Sequence, residues 1–137
     1  MKRKTNHKKI AWKHFSRYIR LRDCLRTTGT KDYCVCVTCG KTVPMGKDLH
    51  AGHCVAGRGN SILLHEGAVW GQCAVCNIWK AGELGKFALY VVDTLGRQYY
   101  DDLVILAKQP KPMKSWEWEE EAKRWKVKAD TMEFGRN

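Results

Sequence analysis

Two cysteine pairs with the same spacing carry the strongest chemical signal in the chain. Two residues separate Cys36 from Cys39, and two separate Cys73 from Cys76. Four thiolates from two such pairs can surround a zinc ion tetrahedrally and leave no open position for water. We therefore predict a structural zinc site, with Cys34 as an alternative ligand. Buried packing thiols or a redox dithiol are the other interpretations.

Histidines lie between the two cysteine pairs. The intervening segment exceeds the roughly 15–20 residues of a plain zinc ribbon, and it contains His50, His53 and His65. A ribbon that merely bound DNA would need no histidines there. His50 and His53 could bind a second zinc, whereas His65 is interpreted as structural or DNA-facing. The insert therefore indicates chemistry beyond a structural metal.

The order of these motifs resembles a known class of nucleases. A Cys-x-x-Cys pair, a strand ending in a histidine, and a second pair that runs into Asn77 resemble the HNH nucleases with a zinc-clamped ββα core, including phage endonuclease VII. The fuller set is similar to the phage NinG/Rap recombination nucleases. It comprises Phe15-Ser16-x-Tyr18-Ile19-Arg20-x-Arg22-Asp23, Cys36-x-x-Cys39-Gly40, His50-Ala51-Gly52-His53 and Gln72-Cys73-Ala74-x-Cys76-Asn77.

The resemblance implies an enzyme, a metal-dependent DNA endonuclease acting on branched recombination intermediates such as Holliday junctions or displacement loops. It implies His53 as the general base and Asn77 as a ligand of catalytic Mg²⁺ or Mn²⁺. Phosphodiester hydrolysis needs both a base and a cation, and an asparagine oxygen is a suitable hard ligand. Glu83 is a further candidate ligand of the metal or its water, and Lys80 a candidate phosphate contact.

Two departures from the wider HNH pattern affect the expected site. Gly52 occupies the position before the base, where many relatives carry an acidic residue or a histidine. His50 is the nearest replacement, either as a metal ligand or as a second catalytic group. The asparagine that orients the base in the wider family would fall near residues 67–68, which are Gly and Ala. That role is therefore vacant or taken by the backbone.

Periodicity and turn residues predict the elements that must position these groups. We expect an α+β fold in which a small zinc-stapled ββα-metal (HNH) core carries flanking helices at both ends. Its parts are a basic N-terminal helix in 1–32, the zinc-clamped nuclease core in 33–96 and a helical extension in 97–137. Helices are predicted over 8–26, 98–108 and 115–129, and from about 73 through 86 toward 92. Strands are predicted within 33–43 and 48–54, a loop over 55–60, and short strand-like pieces at 62–64 and 69–70.

The last predicted helix has an apolar stripe. Trp118, Ala122, Trp125 and Ala129 recur at helical spacing. This stripe is a candidate dimer element, because a two-fold symmetric junction is conveniently cut by a two-fold symmetric enzyme.

The charge of the chain favours a nucleic-acid partner. The formal net charge is +11, and such an excess attracts polyanions. The cations of the first predicted helix, Lys13, Arg17, Arg20 and Arg22, are candidate phosphate contacts, although they could also form an ordinary solvated face. An anionic membrane surface is a weaker alternative.

The cysteine content and the lack of long apolar runs suggest a cytoplasmic protein, in the host cell if it is phage-encoded. Seven cysteines are an odd number, and reduced thiols more often bind metal than pair. No apolar run suits a membrane span.

A nonspecific or nicking HNH nuclease and a non-catalytic zinc-dependent DNA-binding protein remain alternative functions.

Overall fold

The computed structural model describes residues 4–135, so the ends of the predicted N- and C-terminal segments, residues 1–3 and 136–137, lie outside the described residues. The chain has a mixed α+β fold, as predicted. In order, its elements are α1 (His7–Thr28), β1 (Tyr33–Val35), β2 (Thr42–Pro44), β3 (Leu49–His53), α2 (Asn60–Leu63), β4 (Val69–Cys73), a π-helical turn (Val75–Trp79), α3 (Leu84–Leu95), α4 (Arg97–Ala107) and α5 (Ser115–Phe134).

Helix α1 has the capping residues expected of a long amphipathic helix. The Asn6 side chain accepts a hydrogen bond from the Lys9 backbone N–H at 3.1 Å, which satisfies one of the unpaired donors at the helix start. Gly29 ends the helix with φ 76°, a left-handed conformation that suits glycine. Phe15 and Ile19 are fully buried on its inner face. The helix predicted over 8–26 is confirmed.

The strands form two small antiparallel sheets. Strand β1 pairs with β2, and β3 pairs with β4. In the second sheet His50 lies opposite Gln72, and His53 lies opposite Val69. The strand predicted over 48–54 is confirmed as β3, and the piece predicted at 69–70 extends to Cys73. This hairpin and the turn after it carry the candidate catalytic residues.

The strand predicted at residues 62–64 is wrong. Ile62 and Leu63 lie in the one-turn helix α2, where both side chains are buried. A short apolar run reports burial equally well for a strand and a helix, so periodicity could not separate them.

The helix predicted from residue 73 is wrong in its first half. Cys73 ends strand β4, a π-helical turn follows, and α3 begins only at Leu84. Ala81, Gly82 and Glu83 all have positive φ values, of 50°, 86° and 50°. Consecutive residues in that region cannot continue a right-handed helix. The chain therefore bends sharply between the turn and α3.

Helix α5 packs along α1 with its apolar stripe inward. Trp118, Ala122, Trp125 and Ala129 are all buried. The Trp125 ring meets the ring of Phe15 edge-on, with centroids 4.7 Å apart. The stripe is therefore covered by α1 within the chain. This burial removes the reason for proposing the stripe as a dimer element.

One hydrophobic core joins the three predicted segments. It contains Ile19 of α1, Val69 and Phe87 of the middle segment, and Leu103 and Trp125 of the C-terminal helices. The helices thus form part of the same packed unit as the second sheet. Within residues 4–135, no helix combines the length and apolar character needed to cross a bilayer.

Candidate active site and metal centre

The four paired cysteines meet in space. Cys36 follows β1, Cys39 lies in the next turn, Cys73 ends β4 and Cys76 lies in the π-helical turn. Their sulfur atoms all lie within 4.8 Å of one another, and the Cys39 and Cys73 sulfurs are 3.8 Å apart. Zn–S bonds of about 2.3 Å in a tetrahedron would place sulfurs about 3.8 Å apart. The donor set therefore fits zinc and could hold one ion.

Hydrogen bonds prepare this cluster for a cation. Burial by itself raises the pKa of the Cys36 thiol, but several donors outweigh it and lower the pKa to about 6. Among them, the Cys73 backbone N–H donates to the Cys36 sulfur at 3.2 Å, and the Thr38 hydroxyl lies 3.5 Å from the same sulfur. Burial raises the pKa of Cys73 to about 12. A bound cation would be needed to hold all four as thiolates.

The other cysteines lie outside the cluster. Cys24 and Cys34 pack with Leu49 in a separate apolar group, and Cys54 lies in the main core. Burial raises the pKa of Cys34 to about 12 and that of Cys54 to about 11. These residues are protonated packing groups, and the structure does not bring Cys34 into the four-sulfur cluster.

Two of the three residues expected to hold a catalytic cation, His50 and Asn77, touch each other. Asn77 lies in the π-helical turn directly after Cys76, and its amide nitrogen is 3.0 Å from Nδ1 of His50 on β3. A carboxamide oxygen and an imidazole nitrogen can both ligate divalent cations. Within residues 4–135, the four thiols are the only His, Cys, Asp or Glu group dense enough to hold a metal. A cation at His50 and Asn77 would therefore take further ligands from water or phosphate.

His53 is held in one orientation at the end of β3. Its Nε2 lies 3.2 Å from the Leu63 carbonyl oxygen, and its ring stacks on Trp12 with centroids 5.5 Å apart. Since a carbonyl only accepts, Nε2 carries the proton and Nδ1 keeps a free lone pair. Burial, aided by the charge of Arg58, lowers the pKa of His53 to about 4. The Leu63 backbone thus orients this histidine.

Steric crowding by Gln72 explains why position 52 is a glycine. A side chain there would meet the Gln72 side-chain oxygen, since an added Cβ would lie 2.2 Å from it. Gln72 is fully buried, and its amide donates to the Gly82 carbonyl at 2.8 Å and to the Thr38 hydroxyl at 3.1 Å. Gln72 therefore fills the space that an acidic residue would need, and it ties the cysteine cluster to the bend after the π-helical turn.

The candidate catalytic residues line one open cleft of about 650 Å³. His50, His53 and Asn77 lie in its wall together with three cations, Arg20, Lys47 and Arg58. Among the described residues that line the cleft, none is Asp or Glu. Such a wall suits a phosphate group. Lys47 and Arg58 escaped the sequence analysis, because single cations in loops carry no periodic signal.

A family comparison agrees with the motifs. The family model described as Bacteriophage Lambda NinG protein matches residues 1–136. The chain belongs to the NinG family. Comparison with curated proteins and with solved structures gives no match.

Two predicted site residues of this NinG-family chain do not line the cleft. Lys80 lies beside the cysteine cluster, in a groove that Cys39 and Cys76 also line. Glu83 caps α3 and forms an ion pair with Lys86 at 3.7 Å. The structure therefore does not bring either side chain together with His50, His53 and Asn77 in the cleft wall.

The four α1 cations of the NinG-family chain differ in their surroundings. Lys13 is exposed, and Arg20 lines the cleft while donating to the Ser16 carbonyl at 3.2 Å. Arg17 forms ion pairs with Asp130 and Glu133 of α5. Arg22 donates to the Val69 carbonyl at 3.0 Å and packs over the Trp70 ring. Arg17 and Arg22 thus have structural contacts, and Arg20 is the one placed in the cleft wall.

Asp23 holds α1 against the hairpin in this NinG-family fold. It is fully buried and accepts from the Gly71 backbone N–H at 2.6 Å. Arg22 and Arg26 lie within 2.8 and 3.2 Å of its carboxylate. A buried carboxylate needs such partners. Asp23 belongs to the first family motif, but its sequence position alone indicates no role.

Proposed function

We propose that this chain is a metal-dependent endonuclease that hydrolyses phosphodiester bonds in branched DNA. One observation supports this most: His53 and the contacting pair of His50 and Asn77 line a single cleft whose charged residues are all cationic. A polyanionic substrate, a base and a cation could meet in such a cleft. The branched character of the substrate follows from the NinG-family resemblance.

We propose that Cys36, Cys39, Cys73 and Cys76 bind one zinc ion with a structural role. Four sulfur ligands leave no position for water or substrate. The ion would join the turn after β1 to the end of β4 and the π-helical turn. Because Asn77 directly follows Cys76, the zinc would also fix the backbone that carries Asn77.

His53 would act as the general base. Its Nδ1 is free to accept a proton, since Nε2 donates to the Leu63 carbonyl. As water attacks the phosphorus, a water proton would pass to Nδ1, and the bond from phosphorus to one ester oxygen would break; that oxygen would leave with the bonding electrons and take up a proton from solvent water. The low pKa of His53 keeps the imidazole neutral at physiological pH, so Nδ1 can accept a proton, but as a weaker base than an ordinary histidine.

His50 and Asn77 would hold a divalent cation, Mg²⁺ or Mn²⁺, in the cleft. When bound, the cation supplies Lewis-acid stabilisation of the phosphoryl and leaving oxygens. Two protein ligands suit such an ion, because Mg²⁺ commonly keeps several waters and substrate phosphates in its coordination shell. Arg20, Lys47 and Arg58 would neutralise the phosphates on either side.

A non-catalytic zinc-dependent DNA-binding protein is the second candidate function. The observation that favours it is the small number of ligands beside Asn77, with Gly52 and the buried Gln72 where an acidic ligand would stand.

A cleavage assay separates these functions. A labelled four-way junction and a duplex of matching sequence are each incubated with the full chain, with Mg²⁺, Mn²⁺ or Ca²⁺. We expect cutting of the junction with Mg²⁺ or Mn²⁺, and much slower cutting of the duplex. Equal cutting of both would indicate a nonspecific nuclease. Tight binding without cutting under any metal would indicate the binding protein.

A further inference from the structure

The π-helical turn exposes a small apolar patch made of Val75, Ile78 and Trp79. These residues are 52%, 61% and 83% exposed. Trp79 is the most exposed of the large apolar side chains in residues 4–135. The rest of the same turn is tied down, since Cys76 is buried in the sulfur cluster and Asn77 contacts His50. The patch therefore sits on the outer side of a turn whose inner side belongs to the candidate site.

The turn is a rigid support for this patch. The Gly82 backbone N–H donates to the Cys76 carbonyl at 2.8 Å, and the Lys80 backbone N–H donates to the Val75 carbonyl at 3.0 Å. The Gln72 side-chain amide also donates a hydrogen bond to the Gly82 carbonyl. Positive φ at Ala81 and Glu83 marks strain that these contacts maintain. A π-helical turn is itself rare and is frequent at functional sites.

The position of Trp79 relates it to the cleft. Asn77, two residues before it, and Ala81, two residues after it, both line the cleft wall. Lys80 next to it is exposed, and Lys47 and Arg20 line the same cleft. The turn therefore separates the patch from the cleft, and Val75 of the patch lines a second groove with Lys41 and Lys80, two cations suited to a sugar–phosphate backbone that continues past the cleft.

The physical properties of the patch favour a nucleobase as its occupant. Three side chains cannot form the roughly 800 Å² per partner that a stable protein interface needs. A base, in contrast, presents one flat apolar face attached to an anionic backbone, and it stacks well on tryptophan. Base faces inside a duplex are covered by their neighbours. Only an unpaired or splayed base could reach Trp79.

We propose that Trp79 stacks on an unstacked base at the branch point of DNA whose phosphates lie in the cleft, and so favours branched over fully paired DNA. The location of the phosphates rests on the proposed function. The stacking itself concerns binding and requires no cutting.

Binding measurements with Ca²⁺ in place of Mg²⁺ test this directly. The probes are a four-way junction and a forked duplex with 2-aminopurine at the branch, together with a fully paired duplex. The variants are Trp79→Ala, Trp79→Phe and, as a matched control, Trp116→Ala, since Trp116 is a second exposed tryptophan at 62% on α5. Zinc content and circular dichroism verify that each variant is folded.

We expect Trp79→Ala to weaken binding to the branched probes by about 5- to 150-fold, the range for one lost stacking contact. Binding to the paired duplex should be unchanged, Trp79→Phe should keep most of the affinity, and Trp116→Ala should behave like the unmodified chain. The 2-aminopurine signal should respond to the chain and lose that response in Trp79→Ala.

Three results would overturn the inference. They are unchanged branched binding in folded Trp79→Ala, an equal loss on branched and paired DNA, and a change of association state on sedimentation that assigns the patch to a second copy of the chain. Failure of the proposed nuclease function is a separate result, namely no cleavage with Mg²⁺ or Mn²⁺ by the unmodified chain. The binding preference can hold in that case.

Discussion

At the scale of residues, the environment of His53 makes a prediction about pH. Burial, with its ring stacked on Trp12, keeps its pKa near 4 even though the hydrogen bond to the Leu63 carbonyl raises it, so the imidazole is neutral throughout the range from pH 5 to 8. The single-turnover cleavage rate should therefore show no inflection near 6.5, the ordinary histidine value.

The Trp12→Ala variant provides the comparison for this pH profile. Loss of the ring would open His53 to water and raise its pKa toward the ordinary value, so a fall in rate below about pH 6.5 should appear. Zinc content is checked at each pH, because protonation of thiolates releases metal. An inflection near 6.5 in the unmodified chain would show that His53 is not the buried base described here.

The proposed role of Asn77 as a cation ligand predicts a metal-dependent loss of activity. Asn77→Ala removes a cation ligand and leaves the base in place, so cleavage should fall and then recover in part at raised Mg²⁺ or Mn²⁺. Titration of the metal against the cleavage rate measures this. An activity loss that no metal concentration reduces, in a folded variant, would argue for a structural role of Asn77.

At the scale of elements, the cysteine cluster should hold the hairpin and the turn together. Cys36→Ser removes one of four ligands, and zinc affinity contributes directly to folding in small metal-stapled domains. We expect loss of zinc by elemental analysis and loss of cooperative unfolding by circular dichroism. The control is Cys54→Ala, a buried cysteine outside the cluster, which should keep its zinc. A folded, zinc-free preparation of the unmodified chain would contradict the site.

The elements also show where sequence information suffices. The period of buried residues predicted α1 and α5, because a long amphipathic helix repeats its signal over several turns. Helix α5 runs past the predicted end at 129 to Phe134, and Gly135, with a positive φ of 82°, ends it. The bend at 81–83 depends on contacts from Cys76 and Gln72. Only the folded chain contains those contacts.

The candidate site was predictable to a similar degree. The spacing of the cysteines predicts that the four thiols bind one metal ion, because each Cys-x-x-Cys pair forms a local turn. The packing of Trp12 on His53 and the clash that requires Gly52 join distant parts of the chain. Neither contact has a signature in the local sequence, because the residues involved lie far apart along the chain. The sequence therefore predicts which residues belong together better than it predicts what orients them.

At the scale of the whole molecule, the charge should appear in the salt dependence of DNA binding. Each phosphate contact releases counterions, so affinity should fall steeply as salt rises. Arg20→Ala should lower the affinity and reduce the slope of log K against log salt by about 1. Arg17→Ala should chiefly lower the melting temperature, because Arg17 pairs with Asp130 and Glu133. Affinity that does not change with salt would contradict this role of the charge.

The most direct test of the nuclease is the behaviour of His53→Ala on a branched DNA. Single-turnover cleavage of a four-way junction with Mg²⁺ is compared with junction binding in Ca²⁺. His65→Ala serves as the control, since His65 is a half-buried histidine that lines a different pocket. We predict that His53→Ala keeps its zinc and its affinity but cuts at least about 100-fold more slowly, while His65→Ala cuts normally. Near-normal cleavage by a folded His53→Ala preparation would contradict the account and would leave His50 as the remaining candidate base.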